Sequence, residues 1–209
     1  MEHRKAIAVT DAELREEVER SAAAVPRPSV ARARILATAS RLFYGTGIRA
    51  VGVDRVIAES NVARMTFFRH FPTKDHLVVA FLESRATADQ HDLLRIRDEG
   101  GGRAVLAAIA SGVMTVPTGD GFRGCEFVNT AAEFCEPTHP ARLVVNLHRA
   151  WIRDRMAEAL TELGHPTPQR TAELLLMLRT GAIIAASLEG FDDDDGAFEH
   201  AWWNLIDSP

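Results

Sequence analysis

From Ser29 onward the apolar residues recur at helical intervals. Ile35, Leu36, Ala39, Leu42 and Phe43 fall at i, i+1, i+4, i+7 and i+8, one face of a helix. Gly45 and Gly47 stop it. A second helix fits Val53 to Ser60, with Val56 and Ile57 turned inward, and a third fits Ala63 to His70, leaving only Asn61 and Val62 for the turn between them. Pro72 closes the third helix, and Asp75 is placed to cap a fourth running through Phe81.

The helical period continues to the end of the chain. A helix ending near Ile96 is separated by Gly100, Gly101 and Gly102 from another starting near Arg103, and Val116 to Gly124 reads as a loop. Phe127 to Phe134 forms a short helix and Pro137 to Pro140 a break. Ala141 to Leu163 is a long helix whose stripe includes Val144, Leu147, Trp151, Leu160 and Leu163. Another spans about Arg170 to Leu188, and a last one carries Phe198, Trp202 and Leu205. With almost no strand signal and no internal repeat, the expected class is all-α, with about nine or ten helices. Residues 1–28 stand apart: Thr10 and Asp11 can cap a short helix through Ala24, but its stripe of Leu14 and Val18 is narrow, and Pro26 and Pro28 break the chain. They read either as a mobile arm or as a basic-acidic arm that touches a partner or DNA. The expected organisation is an extension over 1–28, a three-helix unit over 29–80 and a helical body over 81–209.

Composition sharpens this division. The 209 residues are 46% hydrophobic, enough for a substantial core. The net charge of −5 argues at first against a nucleic-acid partner. It is unevenly spread: residues 1–28 carry 5 basic and 6 acidic side chains, residues 29–80 carry 8 and 3, and residues 81–209 carry 11 and 20. A basic unit therefore precedes an acidic body. The apolar run Leu174 to Leu188 is interrupted by Arg179 and is shorter than the ~20 residues that cross a bilayer, so no membrane partner is expected. Two cysteines and no signal segment point to a reducing, cytoplasmic setting.

The block from Val53 to Phe71 has helix-turn-helix spacing, with Val56, Ile57, Val62, Phe67 and Phe71 available to pack against Ile35, Leu36, Leu42 and Phe43. Arg64, Thr66, Arg69 and His70 then lie on the face turned away, and such residues grip phosphate or read base edges. Basic helix pairs also occur in other folds, so spacing alone leaves DNA binding one reading among several. The run Arg34 to Phe43, then Gly47, then Asn61 to Asp75 resembles the DNA-binding domain of TetR-family transcriptional regulators. The resemblance places Arg64, Met65, Thr66, Phe68, Arg69 and His70 at recognition-helix positions that face the major groove or its flanking phosphates. Lys74 falls on the family's phosphate-contacting lysine, and Arg49 and Arg55 flank the second helix as further phosphate partners. Three positions depart from the family pattern: Gly52 stands where a hydroxyl residue is usual, Asn61 where glycine is common, and Phe68 where a tyrosine often reaches phosphate.

The second half resembles the family's ligand-binding and dimerisation domain more loosely, mainly through Gly124 to Phe134. That implies a homodimer through the last two helices, with Leu174, Leu178, Gly181, Ala182, Ala185 and Trp202 as interface residues. It also implies a small-molecule effector among the middle helices, where Phe81, Met114, Phe122, Phe127, Asn129, His148, Trp151 and Met177 are the candidates. The expected function is a repressor released from a palindromic operator by that effector. The alternative is a dimeric small-molecule-binding or protein-interaction module with a vestigial helix-turn-helix. No cofactor or metal is expected, since His139, His148, His165, Cys125 and Cys135 show no ligand spacing and Asp192 to Asp195 reads as a solvated loop. If one helix spans Cys125 and Cys135, they lie ~15 Å apart along it, beyond disulfide reach. No catalytic signature supports an enzyme.

Overall fold

The computed structural model describes residues 29–114, 122–189 and 196–207, and the regular elements among them are all α-helices. The expectations for residues 1–28, for most of the Val116 to Gly124 loop and for Asp192 to Asp195 lie outside the described residues.

Helix α1, Val30–Thr46, starts at Ser29, whose Oγ accepts the Arg32 N–H at 3.4 Å, and ends at Gly47, whose φ of 97° suits only glycine. Helix α2 is Val53–Ser60 and α3 is Arg64–His70. Asn61 between them adopts the left-handed conformation, with φ 51° and ψ 51°, which asparagine tolerates better than most residues. Gly52 offers α2 no side-chain cap, and α3 begins one residue later than expected because Ala63 is extended.

Helix α4, Lys74–Met114, is kinked within its length. Thr73, not Asp75, supplies the cap, its Oγ1 accepting the His76 N–H at 3.3 Å. The break expected at the three glycines falls at Gly101, which leaves helical geometry with φ 68° and ψ −165°, and a second helical segment runs on beyond it. Gly102 is buried, and a Cβ on it would stand 2.8 Å from the Ala159 carbonyl oxygen. The glycines therefore serve close packing.

Helices α5, Glu126–Glu133, α6, Pro140–Glu162, α7, Pro168–Glu189, and α8, Ala197–Asp207, complete the body. Two apolar clusters hold it together. The first joins α1–α3 to the start of α4, through contacts such as the edge-on pair Phe43 and Phe81, and takes in Phe127, Ala141 and Val145. The second packs the end of α4 against α6, α7 and α8 around Leu106, Met156, Leu160, Leu175 and Trp202.

Helix α7 has two unlike faces. Ala172, Leu175, Leu176, Ile183 and Ala186 are buried, whereas Leu174, Met177, Gly181, Ile184, Ala185 and Leu188 are exposed. Leu178 and Ala182 are half-buried against the second cluster. Trp202 differs from its expected interface role: it is fully buried inside the protomer. The stretch Pro168–Leu188 is also longer than the apolar run suggested, and by length and composition alone it suffices to cross a membrane. Its inward face is instead part of the second cluster.

Candidate DNA-binding face and internal cavity

Phe67 anchors α3. It is fully buried, meets Phe68 edge-on at 5.3 Å and packs beside Phe71. With that face inward, Arg64, Met65 and Arg69 are exposed, while Thr66, Phe68 and His70 are half-buried. Met65 is 80% exposed. Arg64 is ion-paired with Asp54 of α2, and its guanidinium lies 5.3 Å from the centre of the Phe68 ring. His70 shares a 3.2 Å hydrogen bond between Nε2 and Ser29 Oγ, so it ties α3 to the start of α1.

The flanking basic residues are also held. Glu59 accepts from Arg55 Nε at 2.9 Å and from Arg41 Nη2 at 2.5 Å, and these two bonds hold its carboxyl below the usual range. Lys74, the first residue of α4, reaches the Arg49 carbonyl oxygen at 3.4 Å. Burial pulls the Lys74 ammonium below its ordinary pKa against the opposing pull of Glu133 and Asp75. Arg49 directs its guanidinium over the Phe134 ring, 5.8 Å from the centroid. Thus Arg49, Arg55, Arg64, Met65, Thr66, Phe68, Arg69, His70 and Lys74 belong to one head, with Arg64, Met65 and Arg69 exposed on α3. Sequence reading did not foresee the carboxylates Asp54, Glu59 and Glu133: Asp54 and Glu133 act through partners in another helix or loop, and Glu59 joins Arg55 of its own helix at i,i+4 to Arg41 of α1.

Where this head meets the body there is a cavity of about 660 Å³. Its wall includes Ser40 and Tyr44 of α1, Phe81 and Asp89 of α4, Phe127 of α5, His148 and Ile152 of α6, and Arg179 and Ile183 of α7. Arg85 is ion-paired with Glu126, and His148 Nε2 lies 3.3 Å from Asp89 Oδ2. His148 stacks on Phe127 at 3.9 Å, and its buried Nδ1 has no hydrogen-bond partner among the described residues. Cys125 also lines the cavity. Burial pushes its thiol up, against the opposing pull of the Val128 and Phe127 N–H groups and Arg179.

Of the candidates for this cavity, Phe81, Phe122, Phe127 and His148 line it. The others are placed elsewhere. Met114 and Trp151 pack against the second cluster, Asn129 donates to the Arg123 carbonyl at 2.6 Å, and Met177 is 60% exposed on the outward face of α7. Helical period assigned these residues to the body without specifying which way each side chain turns.

The two cysteines are not on one helix. Cys125 is the N-cap of α5 and Cys135 lies beyond its end, exposed; both are free thiols. His139 caps α6, its Nδ1 accepting the Ala141 N–H at 3.2 Å. His165 accepts the Thr167 N–H at 3.1 Å through Nδ1 and bonds the Leu205 carbonyl at 3.2 Å through Nε2.

Residues 35–81 match the family described as bacterial regulatory proteins, tetR family. The chain is 36% identical to SCO4454, a TetR-family transcriptional regulator from Streptomyces coelicolor, whose crystal structure superposes with a TM-score of 0.74. That match covers 84% of this chain and 94% of the other. The HTH-type transcriptional repressor NemR of Escherichia coli strain K12 is 25% identical over 191 residues, covering 85% of this chain and 94% of NemR. The reduced form of E. coli NemR has the same fold, with a TM-score of 0.74 at 21% identity, covering 87% of this chain and all of the other.

Proposed function

The chain belongs to the TetR family of transcriptional regulators, and from that membership we propose that it acts as a dimeric repressor released from a palindromic operator by a small molecule. The observation that carries this reading is the position of the cavity. Ser40 and Tyr44 of the head share its wall with Arg179 and Ile183 of α7. An effector there touches both the element that positions the recognition helix and the helix with an uncovered apolar face.

The dimer follows from that face. Leu174, Met177, Gly181, Ile184 and Leu188 succeed one another at intervals of three and four, the period of a helix seam. Gly181 and Ala185 keep its middle low enough for close approach. In such a dimer the two α3 helices would have to enter successive major grooves ~34 Å apart. Operator and effector are then linked through a difference in affinity between two arrangements of the heads. Such a protein works in the cytoplasm, where its DNA is.

The test is selection of bound sequences from a random DNA pool with the full-length protein, followed by anisotropy on the selected duplex. A palindrome bound as one dimer is the expected result. Enrichment of no palindrome, or binding by a monomer alone, would refute the reading.

A further inference from the structure

We infer that Glu133 sets the angle at which each head is held on the body and thereby determines which operator spacing the protein accepts; the inference rests on the dimeric operator binding proposed above. Glu133 is the last residue of α5. Its Oε1 accepts the Ile48 N–H at 2.9 Å and its Oε2 accepts the Arg49 N–H at 2.6 Å. One carboxylate of the body thus holds two successive backbone amides in the loop between α1 and α2.

A carboxylate in the last turn of a helix opposes the helix dipole, so the helix does not favour glutamate there on its own account. The two amides compensate, since charge-assisted bonds from backbone N–H groups are among the stronger ones. Their shared direction follows from Gly47, whose left-handed φ turns the chain just before Ile48. A Cβ on Gly47 would stand 3.4 Å from Glu133 Oε1, showing how closely the loop approaches. Arg49 over Phe134 and Lys74 on the Arg49 carbonyl enclose the same junction.

The other end of α5 is tied as well. Arg123 donates from Nη1 to the Gly45 carbonyl at 2.7 Å and from its backbone N–H to Tyr44 Oη at 3.2 Å. Cys125, Glu126 and Phe127 form part of the cavity wall. Helix α5 is therefore a strut about 12 Å long, tied to the head before its first residue by Arg123 and at its last by Glu133, with its first turn in the cavity wall. Because two recognition helices must meet grooves at a fixed separation, the tilt imposed by that grip selects the spacing.

The experiment uses the full-length protein and the selected operator, with half-sites moved apart or together by one and two base pairs. The wild type is expected to disfavour altered spacing by about tenfold or more, a difference of about 1.4 kcal/mol. Glu133→Ala should compress that preference to about threefold or less, while leaving affinity for an isolated half-site and the unfolding temperature nearly unchanged. Removing a negative charge near Arg49 and Lys74 would by itself tighten all spacings alike, so the shape of the profile separates release of the head from electrostatics. Glu133→Gln, which keeps one acceptor and places an NH2 against an N–H, should give an intermediate profile and faster exchange of the Arg49 amide. It serves as the readout if the alanine variant fails to fold. A wild-type preference retained in both variants would overturn the inference, as would a wild type that binds the palindrome at every spacing. Failure to bind any palindrome would instead strike the repressor reading, and slow amide exchange at Ile48 and Arg49 unaffected by Glu133→Gln would then overturn the grip itself.

Discussion

Arg64 gives the most direct check on the DNA-facing surface. In the free protein its guanidinium is ion-paired with Asp54, and both side chains are largely exposed, at 64% and 80%. Exposed pairs of this kind contribute about 0.2–1 kcal/mol, less than the about 1–3 kcal/mol that a well-placed bidentate arginine adds at a base edge. DNA is therefore expected to win the competition for Arg64, with the pair subtracting only part of the gain. Arg64→Ala should cost a net of about 1–2 kcal/mol, a loss of about 5- to 30-fold in operator affinity. Asp54→Asn should tighten binding by about 2- to 5-fold, because the arginine is released and a carboxylate facing the phosphates is removed. Fluorescence anisotropy on the operator and on random DNA, over a salt series, measures both. A falling operator-to-random ratio at unchanged salt slope identifies a base contact, and a parallel fall with a shallower slope identifies a phosphate contact. Unchanged affinity for both DNAs in Arg64→Ala, or weaker binding in Asp54→Asn, would refute the reasoning.

Lys74→Ala should weaken operator and random DNA alike and reduce the slope of log affinity against log salt by about one, and a sequence-selective loss would count against a phosphate role. Ile184→Asp, on the exposed face of α7, should dissociate the dimer in sedimentation with helicity retained. Trp202→Ala should instead lower unfolding stability by about 3–5 kcal/mol, and a pure dimer defect in that variant would contradict its placement in the core. Gly102→Ala forces a Cβ to within 2.8 Å of the Ala159 carbonyl and should cost about 1–3 kcal/mol in chemical denaturation; an unaltered midpoint would show that α4 and α6 are not so closely apposed. The Glu59 carboxyl is held below its ordinary value of 4.5 by Arg41 and Arg55. The stability it contributes is therefore full above that value and lost as pH falls through the lower folded pKa. Glu59→Gln should flatten the acid limb of the denaturation midpoint against pH, and an unchanged limb would deny the pairing.

Much of the head was legible because its signals are local. The intervals of Ile35, Ala39, Leu42 and Phe43, and the Asn61 turn before α3, depend on neighbours a few residues away. The body was less legible. The break at the three glycines was legible, and Gly101 makes it, but the close approach of Gly102 to Ala159 was not, since it depends on a helix far along the chain. Trp202 read as interface because an apolar aromatic looks the same in sequence whether it faces a partner or the protomer's own core. Asn129 and Trp151 were expected at the cavity on chemical type, and neither is among the residues that line it.

By itself the sequence determined that the protein is helical, that a basic helix-turn-helix precedes an acidic body, and which residues occupy the recognition helix. Period, caps, turns and charge runs act over one or two helical turns and can be read in order along the chain. Tertiary structure decided which arginines are held by carboxylates, which apolar residues of α7 remain uncovered, and where the cavity lies. It also joined Glu133 to amides 84 and 85 residues away. Those features depend on pairs of surfaces brought together only when the helices pack, and no local interval along the chain records which surfaces will meet.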